Sequence, residues 1–141
     1  MKLFKTLIFL LLVGVINVIQ GQGKPCGSDA FLEECAPGLG DYTFVKTFDV
    51  KPKMGEKEEV SYIMSKGAKY KIVICDQKIK GYEMKVKLYD RNKKLIFSNY
   101  MNSKYYPSIT YTCSATGVYY IEASFKSTKE GCGVLILGFT N

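Results

Sequence analysis

Glu83-Met84-Lys85-Val86-Lys87-Leu88-Tyr89 decides the fold class of this chain. Met84, Val86 and Leu88 fall on one face of an extended segment, and Glu83, Lys85 and Lys87 fall on the other. A period of two belongs to a strand with one face in a core and the other in water. Asp90-Arg91-Asn92-Lys93 reads as a turn and leads into a second strand over 94–98, closing a hairpin. Upstream, Tyr70, Ile72 and Ile74 alternate with Lys69, Lys71 and Val73 in the same manner.

Further strands are predicted over 42–48, 58–64, 108–113, 118–125 and 134–139, separated by the polar connection 51–57 and the turn signals Thr116-Gly117 and Lys129-Glu130-Gly131. Together they make eight short strands at fairly even spacing. No helix–strand alternation of the parallel-sheet kind appears. The expected fold is all-β, an eight-stranded two-sheet sandwich of jelly-roll type. Its core would hold Phe44, Phe48, Tyr70, Ile72, Ile74, Met84, Val86, Leu88, Ile121, Phe125, Leu135, Leu137 and Phe139. Ahead of the strands, Ser28 to Cys35 reads as a short helix with Ser28 as its cap and Asp29 in the first turn, stopped by Ala36-Pro37-Gly38-Leu39-Gly40.

The N-terminus carries a different signal. Lys2 and Lys5 precede an apolar run from Thr6 to Ile19, and the small residue Gly21 follows. A charged start, apolar middle and small residue before a cut form the pattern of a secretory signal peptide. The run is short for a membrane span, which takes roughly 20 apolar residues. A lipid anchor would need small residues before the first cysteine, but Cys26 follows Lys24-Pro25. The expected organisation is a signal peptide over 1–21, a helical lead-in over 22–40 and a β-sandwich domain over 41–141. The product would be secreted or periplasmic, without a stable membrane anchor.

Composition excludes several functions. The chain has 20 Lys+Arg against 13 Asp+Glu, and Arg91 is its single arginine. Sequence-reading and phosphate-clamping proteins favour the bidentate guanidinium, so nucleic acid is not an expected partner. There is no histidine. Ser-His-Asp and Cys-His nucleophile systems, and zinc sites that need imidazole, are therefore closed to it. No enzyme activity, metal or cofactor is expected.

Ser65-Lys66-Gly67-Ala68-Lys69-Tyr70-Lys71-Ile72, Val86-Lys87-Leu88-Tyr89-Asp90, Tyr111-Thr112-Cys113-Ser114-Ala115-Thr116-Gly117-Val118-Tyr119-Tyr120 and Gly131-Cys132-Gly133-Val134-Leu135 follow one another in order. The series resembles small secreted bacterial β-sandwich proteins and, more distantly, the bacterial pre-peptidase C-terminal domain. There a Gly-x-Tyr strand entry follows a strand ending in a Leu-x-Asp turn. The resemblance spans roughly residues 58–139 and implies a sandwich fold. Its motifs are structural, so it carries over no active site. The cysteines depart from the pattern.

Five cysteines in an exported chain read first as disulfides with one left over. Cys26 and Cys35 flank the helix closely enough to pair. In jelly-roll order the third strand lies beside the eighth, which would bring Cys75 to Cys132. Cys113 would then remain a buried free thiol; redox use would need an activating cation or helix N-terminus nearby.

Asn99-Tyr100-Met101-Asn102-Ser103-Lys104-Tyr105-Tyr106-Pro107 is the stretch best suited to a ligand. Aromatic faces stack on sugar C–H patches while amides satisfy hydroxyls. Tyr100, Tyr105 and Tyr106 are the candidate anchors, with Asn99 and Asn102 as polar partners; the alternative is that the rings fold back over the sandwich edge. Glu122 interrupts an apolar run and reads as an outward carboxylate matched to a lysine on the next strand. Asp90 with Asn92 lacks the further oxygen ligands of a calcium loop and reads as a turn. The expected function is that of an exported non-enzymatic binding module for an extracytoplasmic glycan, protein or envelope component, or a structural and interaction module of a larger surface assembly.

Overall fold

A computed structural model describes residues 27–53, 55–76, 84–126 and 131–141. The expected leader, Cys26 and Glu83 lie outside the described residues. The strands in order are β1 (Thr43–Val50), β2 (Lys57–Met64), β3 (Lys69–Asp76), β4 (Met84–Tyr89), β5 (Leu95–Ser98), β6 (Tyr100–Met101), β7 (Lys104–Tyr105), β8 (Ser108–Thr112), β9 (Gly117–Phe125) and β10 (Gly133–Thr140). One sheet runs β1-β10-β3-β8 and the other β2-β9-β4-β5. All their pairings are antiparallel. The eight longer strands thus follow jelly-roll order, switching sheets at each step except the β4–β5 hairpin, with β3 beside β10.

The count is ten strands rather than eight, because β6 and β7 form an additional two-stranded hairpin. Asn102 and Ser103 between them both have left-handed φ, 50° and 60°. That is the backbone a two-residue hairpin turn requires.

Met84, Val86 and Leu88 point into the space between the sheets, where they meet Ile72, Ile121, Leu135 and Leu137. Lys85, Lys87 and Tyr89 face outward, as the period of two demands. Phe44 departs from expectation: it is 51% exposed. Pairing skips from Phe44 opposite Gly138 to Lys46 opposite Leu137, so Val45 is an extra, bulged residue. The bulge turns Val45 toward the core in place of Phe44. Met64, Ile109 and Tyr119 join the same core.

A second, smaller core lies on the opposite face of the first sheet. Helix α1 (Ser28–Cys35) and a 3-10 turn (Ala36–Leu39) press Phe31 and Leu39 onto Val73, Val134 and Ile136. This explains the unbroken run Val134-Leu135-Ile136-Leu137, all four buried: β10 is covered on both faces and has no reason to alternate. Ser28 is the first helical residue, with Gly27 at the N-cap position, so it is not the cap that the sequence suggested. Gly138 lets the layers close, since a Cβ there would come within 2.7 Å of Leu39 Cδ2 and 3.0 Å of the Thr43 carbonyl.

The disulfide pairing differs from expectation. Cys35 bonds to Cys75, not to Cys26, and so fastens α1 onto β3. Cys75 and Cys132 do share the second core, but Cys75 is taken by Cys35 and Cys132 is itself disulfide-bonded. Cys113 is a buried free thiol. No helix among the described residues is long and apolar enough to cross a membrane.

Candidate functional site

The tyrosine hairpin stands at the end of the sandwich where β5 passes into β8. Tyr100 and Tyr105 are paired across it, with ring centroids 4.5 Å apart. The Lys85 ammonium lies 4.5 Å from the Tyr100 ring centre, and the Lys104 ammonium 5.2 Å from that of Tyr106. Tyr106 stands apart from the pair and is exposed, with Asn102 exposed at the tip. Asn99 is 2% exposed. Its Oδ1 accepts from the Val86 N–H at 2.7 Å, and its Nδ2 donates to the carbonyls of Met84 at 3.0 Å and Tyr106 at 3.2 Å. The amide that sequence reasoning offered to a ligand is consumed in holding the hairpin to β4.

A larger depression lies at the other end, where sequence reasoning named no site. Two turns meet there, 90–94 between β4 and β5 and 113–116 between β8 and β9. Asp90 Oδ1 accepts from the N–H groups of Asn92 at 2.8 Å and Lys94 at 2.9 Å, so this carboxylate builds its own turn. The second turn is tied to its neighbour: the Lys66 N–H donates to Thr116 Oγ1 at 2.9 Å and the Gly67 N–H to the Cys113 carbonyl at 2.8 Å. Between them is a cleft of about 440 Å³, lined by Arg91, Lys94, Leu95, Tyr111, Ser114 and Tyr119 among others. Arg91 lies across Gly117, its Cδ within 3.8 Å of where a Cβ would stand.

A hydroxyl network forms the floor of this cleft. The Tyr119 hydroxyl donates to the Ala115 carbonyl at 2.7 Å and lies 3.4 Å from that of Tyr111, which is 3.1 Å from Ser114 Oγ. The Cys113 thiol donates to the Ala115 carbonyl at 3.2 Å. Burial, reinforced by hydrogen bonds to Cys113 and Tyr111, pushes the Tyr119 phenol well above its ordinary pKa. Burial also acts to raise Tyr111, but its bonds with the Ser114 side chain, Tyr119 and the Ser114 N–H outweigh it, and the Tyr111 pKa is lowered.

Along β5 an apolar strip joins the two ends. Leu95 (49% exposed) lines the cleft. Phe97 (42%), Met101 (47%) and Tyr106 border a hollow of about 180 Å³ beside the hairpin. Phe97 packs edge-on against Tyr111, centroids 6.2 Å apart, bridging the edge strands β5 and β8 of the two sheets. Glu122 is 3.3 Å from the Lys57 ammonium on the neighbouring strand, the outward pairing anticipated for it. Among the described residues no group of three His, Cys, Asp or Glu side chains is placed to hold a metal.

No protein-family model matches the chain, and no curated protein sequence matches it. Solved structures do. Aeromonas hydrophila PliG, a periplasmic lysozyme inhibitor of g-type lysozyme, superposes with a TM-score of 0.51 at 8% identity, over 71% of this chain and 89% of that one. The pre-peptidase C-terminal domain of collagenase from Bacillus anthracis gives a TM-score of 0.51 at 12% identity, over 65% and 87%. The distant likeness to the pre-peptidase domain therefore holds as a likeness of fold. At such identities the shared property is the β-sandwich itself.

Proposed function

We propose that this chain is an exported, non-enzymatic β-sandwich module that binds a protein partner along the β5–β8 side. The observation that carries the reading is the line of exposed Leu95, Phe97, Met101 and Tyr106 running between the cleft and the hairpin hollow. Exposed apolar side chains in a continuous line mark interaction surfaces, and each contributes on the order of 1 kcal/mol when a partner covers it.

A protein partner fits this surface better than a glycan. Sugars need free aromatic faces, whereas Tyr100 and Tyr105 lie against each other and Lys85 faces Tyr100. The fold is compatible with such a role, since one protein that shares it is an inhibitor of a lysozyme. The Cys35–Cys75 disulfide agrees with work in an oxidising compartment.

The test is selection from a random peptide library displayed on phage, with Phe97→Glu as the counter-target, alongside a glycan array. The reading expects enriched peptides that bind the protein and weaken about tenfold on the variant, the cost of a charge placed in an apolar contact. Ligands found only on the glycan array would refute it.

A further inference from the structure

We propose that the cleft between the 90–94 and 113–116 turns is an anion subsite that receives a carboxylate from an acidic, apolar-flanked segment of the protein partner. The inference rests on the reading just given and adds the chemistry of what is bound.

The charges around this sheet divide into two kinds. Lys93 is paired with Glu59 at 2.6 Å and Lys57 with Glu122 at 3.3 Å, so both are already neutralised. Arg91 and Lys94 line the cleft, are exposed, and form no ion pair among the described residues. Among the described residues Asp90 is the only carboxylate lining the cleft, and two backbone N–H groups hold its Oδ1 in the turn. The two free cations thus outweigh it. The arginine of the pair offers a planar fork that fits a carboxylate bidentately.

The floor agrees with an anion. The Tyr111 and Ser114 hydroxyls, bonded to each other at 3.1 Å, line the same cleft as the cations and present polar rather than apolar groups to it. Leu95 and Ile96 form an apolar wall next to the cations. An acidic peptide offers both a carboxylate and an apolar neighbour to such a surface; an acidic glycan offers only the first.

The experiment uses rhodamine-labelled Gly-Glu-Leu-Glu-Leu-Glu-Gly, its glutamine counterpart, and a hexamer of galacturonic acid, each titrated by fluorescence anisotropy or competition. The glutamate peptide is expected to bind about tenfold tighter than the glutamine peptide, a margin that shrinks with added salt. The Arg91→Gln/Lys94→Gln double variant should abolish the margin while its circular dichroism and thermal midpoint stay unchanged, both side chains being exposed. Discrimination that survives in the double variant overturns the proposal, as does an absence of binding by either peptide. If both peptides bind equally and both weaken on Phe97→Glu, the anion subsite fails while the β5–β8 binding side stands. Binding of the galacturonate hexamer without the peptide sinks both.

Discussion

Asn99 and Tyr119 show how much of this molecule depends on single buried polar groups. Asn99 joins β4 to the tyrosine hairpin through three side-chain hydrogen bonds, all to backbone atoms. Asn99→Ala leaves those atoms unpartnered in a dry site, at a cost of about 2–4 kcal/mol. Thermal unfolding should show a midpoint lower by on the order of 10 °C. In sequence this residue looked like a ligand contact because amides among tyrosines suit sugars; only the fold shows that the amide faces inward. Tyr119 is expected to make stability fall with pH in alkali. Its pKa in the folded state is raised above the ordinary 10.0, so unfolding allows the phenol to ionise more easily. The stability it supplies is full below pH 10 and is lost progressively as pH climbs toward the folded-state pKa. Tyr111 works in the opposite sense: its pKa is lowered, so its contribution is full above pH 10 and is lost as pH falls through the folded-state value. Denaturant unfolding of Tyr119→Phe should show a loss of about 1 kcal/mol at pH 8, the worth of its hydrogen bonds, with the gap to the parent narrowing above pH 10. A gap that widens there would contradict the assignment.

Among the elements, α1 is the one whose attachment is most specific. It has eight residues, too few to persist alone in water, and it is held by Phe31 against the outer face of β10 and β3 and by the Cys35–Cys75 bond. The two cysteines are 40 residues apart in sequence, and closing a loop of that length stabilises the fold by about 4 kcal/mol in the chain-entropy model. Cys35→Ser should lower the thermal midpoint by more than 10 °C in the absence of reductant, and the gap should close when both proteins are measured in dithiothreitol, which also opens the bond of Cys132. A variant with an unchanged midpoint would show that α1 is held by packing alone. The strands were most legible in sequence where one face met water: Met84-Val86-Leu88 alternate with half-exposed residues and point into the core, and Tyr70 and Ile72 do so at the end of β3 that α1 leaves uncovered. Legibility failed where a second layer intervened. Val134–Leu137 gives no alternation, and nothing in it says that a helix covers the outer face. The pairing of Cys35 with Cys75 depends on that same layer, so the neighbourhood of Cys75 and Cys132 could be inferred and the bond could not. The bulge at Val45 was hidden for a related reason: one inserted residue reverses which side chains face inward without changing the composition of the strand.

At the scale of the whole molecule, the jelly-roll order leaves β5 and β8 as the adjacent free edges of the two sheets, and the exposed apolar strip runs along that side. The other free edges are β1 and β2. The cleft was invisible in sequence because its walls come from Asp90–Lys94 and Ser114–Gly117, two ordinary turn signals that meet only after both sheets have formed. The tyrosine hairpin, by contrast, was visible as a composition and proves to be largely self-satisfied, its rings engaged by each other and by lysines. The proposed binding side is therefore the strip and cleft, with the hairpin as its border. Hydrogen–deuterium exchange of the protein, alone and saturated with a peptide selected from the library, tests this directly. Added protection concentrated in residues 90–98 and 111–119 is the predicted result. Protection confined to the outward faces of β2 and β9, with 90–98 unchanged, would contradict it.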